Sequence, residues 1–110
     1  KLNTAPDTCP VWRVPSAPAA QRQPVRSAIP TLLLSGAYDW LTPPAWAVDQ
    51  MRYLDNARHI EFRALGHATA VHGNCAARLV DFFTLHADPK RLPSCVERNS
   101  PPAFIDSLRR

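Results

Sequence analysis

The sequence predicts an α/β fold, in which two parallel strands alternate with two crossover helices behind a proline-rich irregular segment. Three observations predict it. An apolar run, "PTLLLSG" at 30–36, and an alternating one, "ARHIEFRAL" at 57–65 with Ile60 and Phe62 two apart, each run into a glycine. A helical spacing of apolar residues follows each of them. Six of the twelve prolines fall within the first thirty residues. Proline lacks an N–H and restricts the residue before it, so regular structure is not expected there.

Taken in order, residues 1–29 read as a connector, with one exception: Trp12 in "CPVW" is a large apolar group suited to lying on a core. The unbroken apolar run at 30–36 is the pattern of a strand covered on both faces. After the loop "AYDWL", Thr42 with Pro43 and Pro44 reads as a helix start. The hydroxyl would serve the exposed N–H groups, and proline is tolerated in a first turn that has no partner for its N–H. Ala47, Met51 and Leu54 then put one apolar stripe on that helix. Ile60 and Phe62, two apart, suit a second strand that Gly66 ends. Leu79, Phe82 and Phe83 mark an amphipathic helix over about 75–86, closed by Pro89. A strand–helix–strand connection of this kind is almost always right-handed and makes the strands parallel. The expected organisation is a connector at 1–29, a folded segment at 30–96 and a polar tail at 97–110.

With 110 residues and 12.2 kDa, the chain can build one small core and one domain. Hydrophobic residues make up 45% and charged residues 20%, which is the ordinary globular class. No run approaches the roughly 18 apolar residues of a membrane span. The formal charge of +4 does not point to nucleic acid. Arg109 and Arg110 form a terminal pair, and the other cations lie among acids and prolines without an aromatic-interleaved basic patch. Because the first residue is Lys1 and no charged start leads into an apolar stretch, any targeting signal is expected upstream, on a longer protein. Cys9, Cys75 and Cys95 are an odd number. In an exported protein two would bridge and the third would pair with a missing segment; in a cytosolic one all three would be thiols. The count alone does not choose.

Parallel strands deliver their following loops to one edge of the sheet, where open α/β sheets place their ligand sites. Asp39 and His67 therefore share an edge, on strands roughly 4.8 Å apart. An imidazole accepts a proton at one nitrogen when the other carries hydrogen, and a buried carboxylate fixes that tautomer and stabilises the imidazolium. Asp39 would orient and His67 would act as base. The bland alternative is a turn-capping Asp39 and a loop His67 with its polar atoms satisfied. No nucleophile accompanies the pair: with only Gly36, Gly66 and Gly73, no G-x-S-x-G elbow can be written. There is no HGGG-type oxyanion segment either, and Ser35 sits inside the first strand run. His67, His72 and Cys75 follow H-x4-H-x2-C, which matches no standard zinc pattern. No metal or cofactor is expected.

The stretches "IPTLLLSGAYDWLTPPAWA", "LGHATAVHGNCAARLVDFF" and "LPSC" together resemble the carboxyl-terminal part of α/β-hydrolases of the tripeptidyl aminopeptidase and proline iminopeptidase type. The resemblance covers roughly 9–95, most specifically G-x-x-D-x-x-T-P-P, G-H and H-G-x-C. It implies the C-terminal βαβα portion of an α/β-hydrolase fold, with Asp39 as the triad acid and His67 as the triad histidine. Thr42, Pro43 and Pro44 match the opening of the helix after the acid loop. The resemblance also implies a disulfide between Cys75 and Cys95, as in secreted members, and a partner for Cys9 outside this chain. The expected function is that of the C-terminal segment of a serine hydrolase, a peptidase releasing short peptides or residues from peptide N-termini. Its serine would lie upstream, in the missing N-terminal part of the same fold, so the isolated chain is expected to be inactive. A peptide or a small ester or amide would be the substrate, with no nucleic acid or membrane span involved, in a secreted or cell-envelope setting. The rival expectation is a non-catalytic binding or interaction module derived from a hydrolase. Trp40, Leu41 and Trp46 flank the acid loop, either as a pocket wall or as core packing.

Overall fold

Two six-residue strands, β1 (Thr31–Gly36) and β2 (Ala57–Phe62), pair in parallel from Thr31 opposite Ala57 to Gly36 opposite Phe62. This is a computed structural model, and it describes residues 15–95 together with Val11 and Arg13. Cys9, Trp12 and the tail at 97–110, each with an expectation attached above, lie outside the described residues.

The strands are joined through α1 (Pro44–Gln50) and a 3₁₀ turn at Met51–Tyr53. After β2 come a one-turn helix, α2 (Thr69–His72), and the longest element, α3 (Asn74–His86). The order is β1–α1–β2–α2–α3, the βαβα pattern that the apolar periods predict with the one-turn α2 added before the last helix. The alternation of β2 decides which side becomes the core. Ile60 and Phe62 are 5% and 2% exposed, and they meet Ala76 and Leu79 of α3, both at 0%. Leu32 and Leu34 of β1 and Leu65 pack against the same cluster. Full burial of side chains such as Phe62 and Leu79 contributes roughly 1.5–3 kcal/mol each, so α3 is held mainly by this one seam.

Several boundaries differ from the sequence expectation. Leu32, Leu33 and Leu34 are half-buried rather than enclosed on both faces, because two strands give α3 and the short α1 little area to cover. β2 stops at Phe62, ahead of Gly66, because the chain turns at once and the Leu65 N–H donates to the Phe62 carbonyl at 3.3 Å. The apolar stripe of α1 is broken: Met51 lies in the 3₁₀ turn and Leu54 beyond it, bridged in parallel to Ser27. Thr42 does not cap α1, which carries no side-chain cap. Pro43 and Pro44 remove two of the N–H groups that such a cap would serve, and the hydroxyl is engaged elsewhere.

α3 closes as expected, one residue longer at its start than the apolar spacing suggests. Ala87 takes the left-handed conformation (φ 47°) and its N–H returns to the Phe83 carbonyl at 2.7 Å, with Pro89 two residues on. A disulfide between Cys75 and Cys95, whose Cα atoms are 5.6 Å apart, ties the first turn of α3 to residue 95. The proline-rich segment includes a 3₁₀ turn at Ala19–Arg22 and then makes an isolated parallel bridge from Ser27 to Leu54, just ahead of β2. There the Ser27 N–H donates to Tyr53 (3.0 Å), Asp55 donates to Ser27 (2.9 Å), and the Arg26 guanidinium lies 5.4 Å from the Tyr53 ring centre.

Candidate functional site

The loops that follow β1 and β2 are joined backbone to backbone before any side chain is considered. Ala37 N–H donates to the Phe62 carbonyl (2.9 Å) and Tyr38 N–H to the Leu65 carbonyl (3.0 Å), which carries the strand pairing past the strand ends. Gly36 makes this approach possible. A Cβ there would fall on the carbonyl oxygens of Gly66 and Leu65, so a residue without a side chain is needed for steric reasons.

Beyond Gly36 the chain turns, with the Asp39 N–H on the Gly36 carbonyl at 3.0 Å, and the Asp39 side chain folds back under its own loop. Oδ1 accepts the N–H groups of Leu41 (2.9 Å) and Thr42 (2.8 Å). This is the short-range bonding that gives aspartate its preference for turns. Oδ2 accepts the Thr42 hydroxyl at 2.6 Å, within the short range of charge-assisted O–H···O⁻ bonds. From the other loop, His67 Nδ1 comes to 3.0 Å of Oδ2 and 3.2 Å of Oδ1. Asp39 is only 7% exposed. Burial by itself pushes its carboxyl up, but the hydrogen bonds from Thr42, His67 and Leu41 outweigh that and hold it at about 2, below the ordinary 3.8.

The tautomer follows from the partner. An ionised carboxylate only accepts, so Nδ1 of His67 must bear hydrogen, and in the neutral imidazole Nε2 is then the nitrogen with the lone pair. The imidazole is 52% exposed, so one side meets the buried acid and the rest is open to approach. Its loop is fixed from behind. Ala68 sits in the left-handed region (φ 57°, ψ 43°), a conformation that costs a non-glycine residue roughly 1–2 kcal/mol. The buried Thr69 hydroxyl donates to the Gly66 carbonyl at 3.1 Å, and Val71 N–H to Ala68 at 2.9 Å. These bonds hold the strained turn so that His67 faces Asp39.

An open cavity of about 280 Å³ lies over the pair, bounded by Leu34, Asp39, Thr42, His67 and residues 68–71. A cavity of similar size, about 300 Å³, sits by the end of α3 between Phe82, His86, Asp88 and Arg91, and none of its walls belongs to the acid–imidazole pair.

The two strand-end residues singled out in the sequence are thus brought together. Other candidates fall elsewhere. Trp40 and Trp46, 73% and 59% exposed, stand in solvent with Leu41 rather than in the core. His72 lies exposed on α2, and the Cys75 sulfur is committed to its disulfide, leaving no thiolate for a metal set with His67. Among the described residues no three His, Cys, Asp or Glu side chains converge as metal ligands. Two side-chain contacts escaped the sequence reading. Ser35 and His59 Nε2 are hydrogen-bonded at 2.7 Å across the strands, and Thr42 bonds to the acid rather than to a helix end. Thr42 could have been found from the two prolines after it, which make it a poor cap. No signal marks the Ser35–His59 contact, because it depends on register.

A family model described as TAP-like protein matches residues 1–95. No curated protein and no solved structure gives a match.

Proposed function

The chain belongs to the TAP-like family of α/β-hydrolases, and from that premise we propose that it supplies the acid and the base of a serine-hydrolase triad, Asp39 and His67. The observation that carries the proposal is the 3.0 Å contact between His67 Nδ1 and the buried Asp39 Oδ2. In this reading Nε2 of His67 takes the proton of a serine hydroxyl as that oxygen attacks a carbonyl, then returns it to the leaving group. Asp39 stays ionised throughout, holds the tautomer and stabilises the imidazolium.

The serine and the oxyanion donors come from sequence outside these 110 residues, since no G-x-S-x-G elbow can be drawn here. Residues 30–96 form the hydrolase segment, and 1–29 and 97–110 serve as connector and tail. The substrate is a peptide with a free amino end, cleaved to release short peptides or single residues, and the open cavity beside His67 is where its reacting carbonyl would lie. Nothing in this reading calls for a metal or an organic cofactor. The Cys75–Cys95 disulfide favours a secreted or cell-envelope setting. No helix of the described residues is long and apolar enough to cross a membrane.

A non-catalytic interaction module is the second reading, favoured by the exposed Trp40 and Trp46. Hydrolysis of aminoacyl and tripeptidyl arylamides separates the two. The protein that carries this segment together with a serine elbow should turn them over, its His67→Ala variant should not, and the 110-residue chain alone should be inert. Turnover by the 110-residue chain alone would contradict the proposal.

A further inference from the structure

Thr42 reads in the sequence as a helix cap, but its side chain is placed for a different task. Its N–H donates to Asp39 Oδ1 at 2.8 Å and its hydroxyl to Oδ2 at 2.6 Å, so one residue grips both oxygens of the carboxylate. The same hydroxyl oxygen lies 3.3 Å from His67 Nδ1. With the hydroxyl hydrogen on Oδ2 and the imidazole hydrogen on the carboxylate, the three groups close a small polar cluster around one buried acid. Two consecutive prolines follow. Their restricted φ angles limit how far the Thr42 backbone can swing away.

We propose that Thr42 is a positioning residue for the Asp39–His67 pair, fixing the rotation of the carboxylate so that an oxygen edge faces Nδ1. The inference rests on the reading of Asp39 and His67 as acid and base. Without the hydroxyl, Oδ2 keeps His67 as its side-chain donor, but the carboxylate can turn about its last torsion, which is broad for aspartate. The base is then less well oriented in the transition state, while substrate binding is little changed. Removing the hydroxyl also withdraws one of the bonds that hold the Asp39 proton affinity down. Asp39 is faced by Leu41 and Thr42 from its own loop and by His67 from the loop after β2, so the change is read against His67 as the one ionisable side chain bonded to it.

The test compares Thr42→Val, Thr42→Ser and Asp39→Asn in the protein that carries this segment with its serine elbow, each checked for an unchanged melting curve. Thr42→Val, which keeps the shape and loses the hydroxyl, should lower kcat roughly tenfold with KM nearly constant, and Thr42→Ser should restore it to within about twofold. The Asp39 carboxyl, followed by ¹³C NMR, should titrate higher in Thr42→Val than in Thr42→Ser. A normal kcat in Thr42→Val beside a dead Asp39→Asn overturns this proposal alone. A normal kcat in Asp39→Asn overturns the acid–base reading, and the positioning role with it.

Discussion

Nδ1 of His67 lies 3.0 Å from Oδ2 of Asp39, although the two residues belong to loops on different strands and only the acid is buried. The relationship is made by the parallel pairing of β1 and β2, by the glycine at 36 that lets the loops touch, and by a left-handed turn at Ala68.

Asp39→Asn should reduce kcat of the serine-bearing protein by about four orders of magnitude, the scale seen when a triad carboxylate becomes an amide that favours the wrong tautomer. His67→Ala should remove nearly all acyl transfer, and KM should shift less in both. Purified variants assayed at saturating arylamide check this.

The stability of the chain should depend on pH through Asp39. Its folded carboxyl sits at about 2 against an ordinary 3.8, so the unfolded chain binds the proton more readily. The stabilisation is complete above the ordinary value and is lost as pH falls through the folded one. Chemical denaturation between pH 5 and pH 2 should show a falling midpoint, and Asp39→Asn should flatten that part of the fall.

Gly36→Ala should destabilise the fold by about 2 kcal/mol, because the new methyl meets backbone carbonyls that cannot rotate away. Ala87→Gly should act in the opposite direction, stabilising by about 1 kcal/mol by relieving a left-handed alanine at the end of α3. Thermal melts of the two variants, run against the parent sequence, should move in opposite directions.

Reduction of Cys75–Cys95, or the paired change to serine, should cost about 3 kcal/mol, the scale for closing a loop of this length. The loss should appear first as faster hydrogen exchange at the start of α3, where Cys75 sits.

Much of this could be read from the residues alone. The alternation at Ile60 and Phe62 and the helical spacing around Leu79 have one physical solution, and the burial of those residues follows it. Asp39 and His67 were placed on one edge by topology, since parallel strands leave no other option. Other features depend on distances that sequence does not carry. The Thr42 hydroxyl suits a helix cap by its sequence position, whereas the nearby buried carboxylate is a stronger acceptor. Ala64 and Leu65 are apolar enough to continue a strand in the sequence, and only the turn that packs Leu65 on the core ends β2 at Phe62. Trp40 and Trp46 suit either a pocket wall or core packing by their sequence, and here both are exposed and outside the lining of the cavity over the pair.

The most direct test is covalent labelling of the serine-bearing protein with a fluorophosphonate, with the modified residue located by mass spectrometry and the rate compared with that of His67→Ala. The account predicts one labelled serine outside these 110 residues and a labelling rate that collapses without His67. Failure to label, or labelling at an undiminished rate in His67→Ala, would contradict the assignment of Asp39 and His67 as the acid and base of a hydrolase.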